Sequence, residues 1–387
     1  MGMWIGRGRK ARVCYGFDDI SLVPGGITLN PADVDISVDI AGKRLEVPIL
    51  AAAMDGVVDT HFAIAFGKAG GLAVLNLMGI YTRYKDPYAV IEKIISCPSD
   101  KATALIQKIY QEPVKEQLIV ERIQEIKKAG VLCAVSSIPQ DAERFGPIVQ
   151  DAGADIFVVQ STVTTAKHLS STYKPLDLKK LCLSLKIPVI AGNCVTYQVA
   201  LDLMETGISG LLVGIGPGAA CTTREVLGIG VPQVAATSDC AAARDFFYKR
   251  TGRYVPIITD GGMITSGDIC KAFACGADLV MVGSAFVRAE EAPAKGYHWG
   301  MATSDENLPR GTRIRLGTSG PVKQILFGPS TTDDGSQNLM GALRLSMASL
   351  GVRDIKEMQL VEIAIAPSIK TEGKIYQVAK KQAINGK

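Results

Sequence analysis

What most constrains this chain is a recurrence: a short uninterrupted apolar run, an amphipathic stretch, then the next run. The runs fall at residues 48–52 (PILAA), 72–75 (LAVL), 132–135 (LCAV), 156–159 (IFVV), 188–191 (PVIA), 210–213 (GLLV), 256–259 (PIIT) and 279–282 (LVMV). Runs of this length without polar alternation suit parallel strands covered on both faces. Helical periodicity fills the gaps, as at 117–129, 199–206 and 266–275, and several gaps end on a glycine (Gly130, Gly153, Gly276) that fits a helix C-cap. Eight β–α units predict an α/β fold, a (β/α)8 TIM barrel, whose working residues stand on the loops after the strand C-termini. With the count one off, a doubly wound open sheet is the alternative.

Composition narrows the class. With 387 residues, 47% of them hydrophobic, the chain can bury a core of barrel size. The net charge of +4 comes from mixed signs with no basic–aromatic stripe, so no nucleic-acid partner is expected. No apolar run reaches the roughly 18 residues of a membrane span, and the N-terminus lacks a signal peptide's apolar core. The 9 cysteines include no C-x-x-C pair and only 3 histidines occur (His61, His168, His298), which argues against a disulfide or zinc framework. The expectation is a cytoplasmic globular protein with a basic N-terminal arm (Arg7, Arg9, Lys10, Arg12) that is solvated or a subunit contact.

The unusual residues stand at the expected strand ends. They are Ala53-Met54-Asp55-Gly56 after the first run, Gly192-Asn193-Cys194 after the fifth, Asp260-Gly261-Gly262 after the seventh and Gly283-Ser284 after the eighth. Glycine turns after the last two strands are where such barrels bind phosphate through backbone N–H groups. After the sixth run comes 214–233, GIGPGAACTTREVLGIGVPQ, where Cys221 is bracketed by glycines and prolines and followed by Thr222, Thr223 and Arg224. A thiol on a loop whose backbone permits close approach suits a nucleophile, with Arg224 or a following helix lowering its pKa. A structural turn around a buried cysteine fits the same residues.

Two excursions interrupt the pattern. Residues 76–116 read as mostly helical and, at about 40 residues, as too short for an inserted regulatory domain. Residues 290–336 are Gly-, Thr- and Arg-rich with weak periodicity, which reads as a lid or flap. Residues 338–350 predict a closing amphipathic helix and the Lys-rich end after Ser368 a tail, so one barrel domain is expected over about residues 47–350.

Taken in order, the loops resemble the IMP dehydrogenase and GMP reductase family. The resemblance rests on 15–24 (YGFDDISLVP), Ala53-Met54-Asp55, GIGPG with Cys221-Thr222-Thr223-Arg224, Val231-Pro232-Gln233, Asp260-Gly261-Gly262, Met281-Val282-Gly283-Ser284 and Glu290-Glu291-Ala292-Pro293, and covers most of the chain. It implies that Cys221 adds to C2 of a purine mononucleotide while a hydride passes between C2 and a nicotinamide. C2 must be activated covalently before a hydride or an amine can be exchanged there. By the same resemblance Thr223 and Glu291 serve proton transfer at C2, and Asp260 takes the ribose hydroxyls. Gly261, Gly262, Gly283, Ser284 and Tyr297 hold the 5′-phosphate, and Met54, Gly300 and Met301 flank the base. Ser161, Thr162 and Asn193 remain for the carboxamide of NADPH or NAD. Carbonyls of Gly216, Gly218 and Cys221 match a monovalent-cation (K+) site, and a homotetramer is implied. On the residues alone, Asp260 also reads as a turn carboxylate capping its own backbone, and Met54 as core packing.

The family's two activities share the covalent step. A dehydrogenase hydrolyses the adduct with an Arg-Tyr dipeptide on a flap; here 305–320 holds Arg310, Arg313 and Arg315 with no tyrosine after any of them. The paired CBS domains typical of dehydrogenases are also not expected, since 76–116 cannot hold them. Both points favour reduction of GMP to IMP and ammonia with NADPH over oxidation of IMP to XMP with NAD. Departures from the family pattern are Asn76-Leu77-Met78, Gln160 in place of an aspartate, Leu212 in place of a Lys or Arg, and Ala219 and Ala52 in place of serines. They bring the chain nearest the CBS-lacking, IMP-dehydrogenase-related branch. They also leave open a silent purine-nucleotide-binding regulator, and the two glycine turns alone would suit a flavin barrel binding FMN phosphate.

Overall fold

The structure, a computed structural model, describes residues 2–300 and 313–366. Eight parallel strands close into a barrel in chain order: β1 (Ile49–Ala51), β2 (Leu72–Asn76), β3 (Ala134–Ser137), β4 (Ile156–Gln160), β5 (Val189–Cys194), β6 (Gly210–Val213), β7 (Ile257–Asp260) and β8 (Leu279–Val282). These are the eight runs the pattern predicts. Pairing of Val280 with Ile49 and Met281 with Leu50 closes β8 on β1 and rules out the open sheet. Most bounds agree to within a residue, and two strands shift by more. Ala134, not Leu132, is the first residue of β3 to pair, with Val74 and Ile156. β5 runs on through Gly192 and Asn193, because Gly192 still pairs with Gln160 on one side and Leu212 on the other before a bulge at Cys194. Asn193 is therefore a strand residue, not a loop residue.

Strand alternation sorts the side chains into two apolar layers. Leu50, Val74, Ile156, Ile190, Leu212 and Ile258 point inward and fill the barrel. A hairpin of Val38–Ile40 and Lys43–Leu45 adds Ile40 and Leu45 to this inner core. The outward residues, among them Ala51, Leu75, Phe157, Leu211 and Val280, join a second core beneath the helices.

Those helices are α1 (Thr60–Lys68), α2 (Pro87–Ser96), α3 (Ser99–Ile109), α4 (Glu116–Lys128), α5 (Pro139–Asp151), α6 (Leu178–Ser184) and α7 (Tyr197–Glu205). They continue with α8 (Thr223–Leu227), α9 (Gln233–Thr251), α10 (Ser266–Ala274), α11 (Ser284–Val287), α12 (Val322–Phe327), α13 (Leu339–Leu350) and α14 (Ile355–Met358). Local chemistry sets their ends. Thr265 and Asp268 form a capping box at the start of α10, and Gly252, in the left-handed region, stops α9. The 76–116 excursion folds as a short turn plus α2 and α3, in line with its helical reading.

In its described part the 290–336 segment carries regular structure. Tyr297–His298 pairs antiparallel with Ile314–Arg315, and α12 follows, a helix of 6 residues and too short to show a period in the sequence. Met301, Arg310 and the tail after Ser368 lie outside the described residues. The N-terminal arm is a ribbon of Gly2–Gly6 and Arg9–Arg12 that exposes Met3, Trp4 and Ile5, while Arg12 pairs with Asp239 on α9. The lead-in strand Ile20–Leu22 pairs with Ile363–Ile365, tying both ends of the described chain together. Among the described residues no helix is long and apolar enough to cross a membrane.

Candidate active site

The loop after β6 begins with Gly214 at φ +151, where a β-carbon would run into the carbonyl oxygen of Asp260. Only glycine lets the loop cross the end of β7 so closely. Gln233, the first residue of α9, pins the crossing: its Nε2 donates to the oxygens of Val213 (2.6 Å) and Asp260 (3.3 Å). Cys221 is exposed, so the alternative of a buried structural cysteine is corrected. Its N–H bonds to Gly218 O at 3.0 Å, a tight turn that leaves the side chain outside. The thiol lies 3.2 Å from the hydroxyl of Thr223, which is buried as the first residue of α8. Arg224 serves the loop itself. Its stem fills the space where β-carbons on Gly216 and Gly230 would stand, and Nη2 donates to Val231 O at 2.9 Å.

Asp260 ends β7 at the barrel mouth. Its Oδ2 accepts from Asn193 Nδ2 at 2.7 Å and Gln160 Nε2 at 3.1 Å, and Gln160 Nε2 also donates to Asn193 Oδ1 at 3.2 Å. Burial pushes the Asp260 carboxyl up to about 6 against the pull of those two amides. The carboxylate braces side chains from β4 and β5 rather than capping its own turn. The departures at Gln160 and Leu212 are linked in space: both pair with Gly192, one on each side of β5. Leu212 is buried in the inner core, and Gln160 and Leu212 are both neutral, so the Asp260 carboxylate is held by the Asn193 and Gln160 amides alone.

The expected phosphate turns converge on the thiol loop. Gly261 and Gly262 both have φ near +80, and β-carbons there would press on Pro217 at 3.2 and 3.0 Å. Among the described residues nothing accepts from the N–H groups of Gly262, Gly283 or Ser284. Met54 packs partly against the outer core, and its sulfur lies 2.9 Å from where a β-carbon on Gly283 would stand. The guanidinium groups of Arg313 (5.4 Å) and Arg315 (5.5 Å) both approach the ring of Tyr297. Arg313 in turn donates to the carbonyls of Ile95 (3.1 Å) and Cys97 (2.7 Å) at the end of α2. Gly300 is half-buried beside this ribbon. Glu291 Oε2 accepts from the N–H of Val322 at 2.8 Å, at the start of α12.

Of the three residues expected near a carboxamide, Asn193 is occupied by Asp260 and Gln160. The Ser161 hydroxyl donates to Val163 O at 2.9 Å and meets Thr164 Oγ1 at 2.9 Å, while Thr162 is exposed. Of the three carbonyls expected for a cation, that of Gly218 already accepts from the Cys221 N–H.

Three features escaped the sequence. Gln160 and Gln233 are donors whose partners lie on other strands. A buried network also joins the β1 loop to the 297–300 ribbon: Asp55 accepts from Tyr110 OH (2.5 Å), Ile80 N–H (2.7 Å) and Asn76 Nδ2 (3.2 Å), and Trp299 Nε1 donates to Tyr110 OH (2.9 Å). Burial raises the Asp55 carboxyl despite those bonds. The only local signal was a carboxylate inside an apolar strand end. His298 is also buried, with neither ring nitrogen partnered among the described residues, and burial pushes it down to about 4.

Comparison with known proteins agrees with this layout. The family model described as "IMP dehydrogenase / GMP reductase domain" matches residues 14–374. An uncharacterized oxidoreductase of Mycobacterium tuberculosis is 39% identical over 370 residues, covering 93% of this chain and 99% of that one. An inosine-5′-monophosphate dehydrogenase of Borreliella burgdorferi is 34% identical over 388 residues, covering 89% of this chain and 91% of that one. The crystal structure of an IMP dehydrogenase/GMP reductase-like protein from Corynebacterium glutamicum superposes with a TM-score of 0.89 at 38% identity, over 94% of this chain and 97% of that one. A closed parallel barrel with an exposed cysteine loop at its mouth, matched along nearly its whole length, places the chain in the IMP dehydrogenase/GMP reductase family of purine-nucleotide oxidoreductases.

Proposed function

We propose that this chain reduces GMP to IMP with release of ammonia, through a covalent bond between Cys221 and C2 of the purine. The observation that carries the reading is the exposed Cys221 thiol hydrogen-bonded to Thr223 on a loop locked against the glycine turn of β7. Cys221 passes its proton through the Thr223 hydroxyl to Glu291, and its sulfur adds to C2. As the bond from C2 to the amine breaks, Thr223 and Glu291 deliver a proton to the departing nitrogen, and ammonia leaves. NADPH, when bound, supplies the hydride to C2. Cys221 then leaves C2 as thiolate, and IMP is released.

Asp260 accepts from the ribose, and the unpartnered N–H groups of Gly262, Gly283 and Ser284, with the Ser284 and Tyr297 hydroxyls, hold the 5′-phosphate. Met54, Gly300 and Met301 border the base. For the carboxamide of the cofactor, the exposed Thr162 hydroxyl and the Ser136 hydroxyl, buried on β3 without a partner among the described residues, are fitting groups. Ser161 and Asn193 shape that side of the mouth through their backbone and neighbours. For the whole protein a homotetramer is the assembly we propose, supported by the exposed apolar ribbon at Met3, Trp4 and Ile5; light scattering tests it.

Reduction is favoured over IMP oxidation because nothing supports a water-activating Arg-Tyr pair. No tyrosine follows an arginine in 305–320, and Arg313 is bound to the end of α2. Oxidation of IMP with NAD is the second reading, favoured by the likeness to the Borreliella dehydrogenase. Loss of NADPH absorbance with GMP, together with released ammonia, is the expected result. NADH and XMP formed from IMP, with no turnover of GMP, would select the second reading. Nucleotide binding with no turnover of either substrate would leave a regulator.

A further inference from the structure

The mouth of the barrel contains an acceptor that the described residues do not use. Gln160, the last residue of β4, is buried, and both of its amide hydrogens are directed inward along the wall, to Asn193 Oδ1 and Asp260 Oδ2. Its orientation is therefore fixed, and Oε1 is left buried with no partner among the described residues. A buried acceptor without a donor is destabilising, and a ligand that brings a donor relieves that penalty. Resting on the purine-nucleotide reading of the site, we propose that Gln160 Oε1 and the Asp260 carboxylate together receive the vicinal ribose hydroxyls of the mononucleotide, one hydroxyl each. Gln160 is then a specificity residue that selects ribonucleotides over deoxyribonucleotides.

The spacing suits such a pair. The oxygen and nitrogen of an amide lie about 2.3 Å apart, and Gln160 Nε2 is 3.1 Å from Asp260 Oδ2. Oε1 therefore lies within about 5.4 Å of that carboxylate, a gap that two neighbouring hydroxyls, each donating over about 2.8 Å, can bridge. The chemistry is selective as well. The amide hydrogens are spent, so Oε1 can only accept, and an aspartate in its place could not donate to Asp260. The exchange of a carboxylate for an amide thus supports Asp260 and adds a neutral acceptor in one step. Gly192, paired with Gln160 on one side and Leu212 on the other, brings β5 so close to Leu212 that a β-carbon there would lie 2.5 Å from its carbonyl oxygen.

The test is calorimetric binding of GMP, 2′-deoxy-GMP and 3′-deoxy-GMP to the full chain without cofactor. The wild type should lose roughly tenfold in affinity for each missing hydroxyl. In Gln160→Met one of the two penalties should fall to within about twofold while the other persists. Gln160→Glu, which keeps an oxygen at that place, should retain both penalties although overall affinity drops. If both penalties survive in Gln160→Met, or the wild type ignores both hydroxyls, the inference is overturned. It is also overturned if Gln160→Glu loses a penalty as fully as Gln160→Met, since the donor to Asp260 would then account for the effect. A change in NADPH affinity alone, with unchanged GMP penalties, counts against it in favour of the cofactor's ribose. Failure of the wild type to bind any purine mononucleotide would instead refute the functional reading beneath it.

Discussion

Pro217 packs on the backbone of Gly262, its Cβ 3.0 Å from where a β-carbon on that glycine would stand. The loop that carries the thiol and the turn offered to phosphate are thereby one mechanical unit. Gly262→Ala must strain a backbone at φ +79 and push Pro217 away, costing about 1–3 kcal/mol. Nucleotide affinity should fall more than tenfold. Gly228→Ala makes the control, since Gly228 also has positive φ but nothing within 4 Å of a new β-carbon. Thermal melts and calorimetry on the two variants should separate them; equal losses of affinity would contradict the unit.

The Asp260 carboxyl carries a signature in the pH dependence of stability. Its folded pKa is about 6 against an ordinary 3.8, with burial as the main cause. The folded state holds that proton more tightly than the unfolded chain, so stability falls as pH rises from about 4 to 6 and stays lower above, by at most about 3 kcal/mol. Asp260→Asn removes the term. Relative to wild type, the variant should gain stability near neutral pH and gain none at about pH 4. Urea denaturation at the two pH values measures this, and an equal change at both would refute the assignment.

At the reaction centre, Cys221→Ala should abolish turnover while purine-nucleotide binding stays within about fivefold, since the thiol's part is covalent. Thr223→Val keeps the shape beside the sulfur but removes the hydroxyl at 3.2 Å. A loss of about 10²–10⁴ in kcat, with KM little changed, is expected from a group that moves a proton at C2. Mass spectrometry of wild type quenched with GMP should find a purine adduct on Cys221. An adduct on another cysteine would overturn the role.

Away from the mouth, Asp278 collects Arg244 (2.8 Å), the N–H of Ile257 (2.8 Å), Tyr254 OH (2.7 Å) and Lys356 at the other end of the barrel. Burial alone would raise its carboxyl, but Arg244 and Lys356 hold it below 3.8. Its stabilising contribution is therefore complete above that value and disappears as pH falls through the lower folded pKa. Asp278→Ala leaves the buried Arg244 with only the exposed Asp245 carboxylate at 2.9 Å and strips the partner from Lys356, and should cost about 3 kcal/mol. Glu205→Ala, which breaks the exposed pair with Arg250, should cost under about 1 kcal/mol. Denaturation curves of both variants at neutral pH decide between them.

The barrel was legible because its strands are covered on both faces, so each appears as an unbroken apolar run whatever surrounds it. The strand-end residues followed from that: once β7 was placed, Asp260 had to stand at the mouth. Side-chain partnership was not legible. Gln160 reads as a lost aspartate in sequence, yet it donates to a carboxylate 100 positions away. Arg313 reads as a flap arginine, yet its guanidinium serves carbonyls 218 and 216 positions earlier. Such contacts depend on chain crossings that no local period encodes. Helix α12 was missed for the opposite reason, being too short to have a period at all.

Ile40 and Leu45 add to an interior already packed with Leu50, Val74 and Ile156, so the barrel is a cup with a solid floor. Among the described residues the inward-facing groups at the strand C-termini, Gln160, Asn193 and Asp260, are then reached from the loop end and not through the interior. In the proposed reaction the nucleotide and the dinucleotide would share that end, and the one nearer the rim would shield the other from solvent.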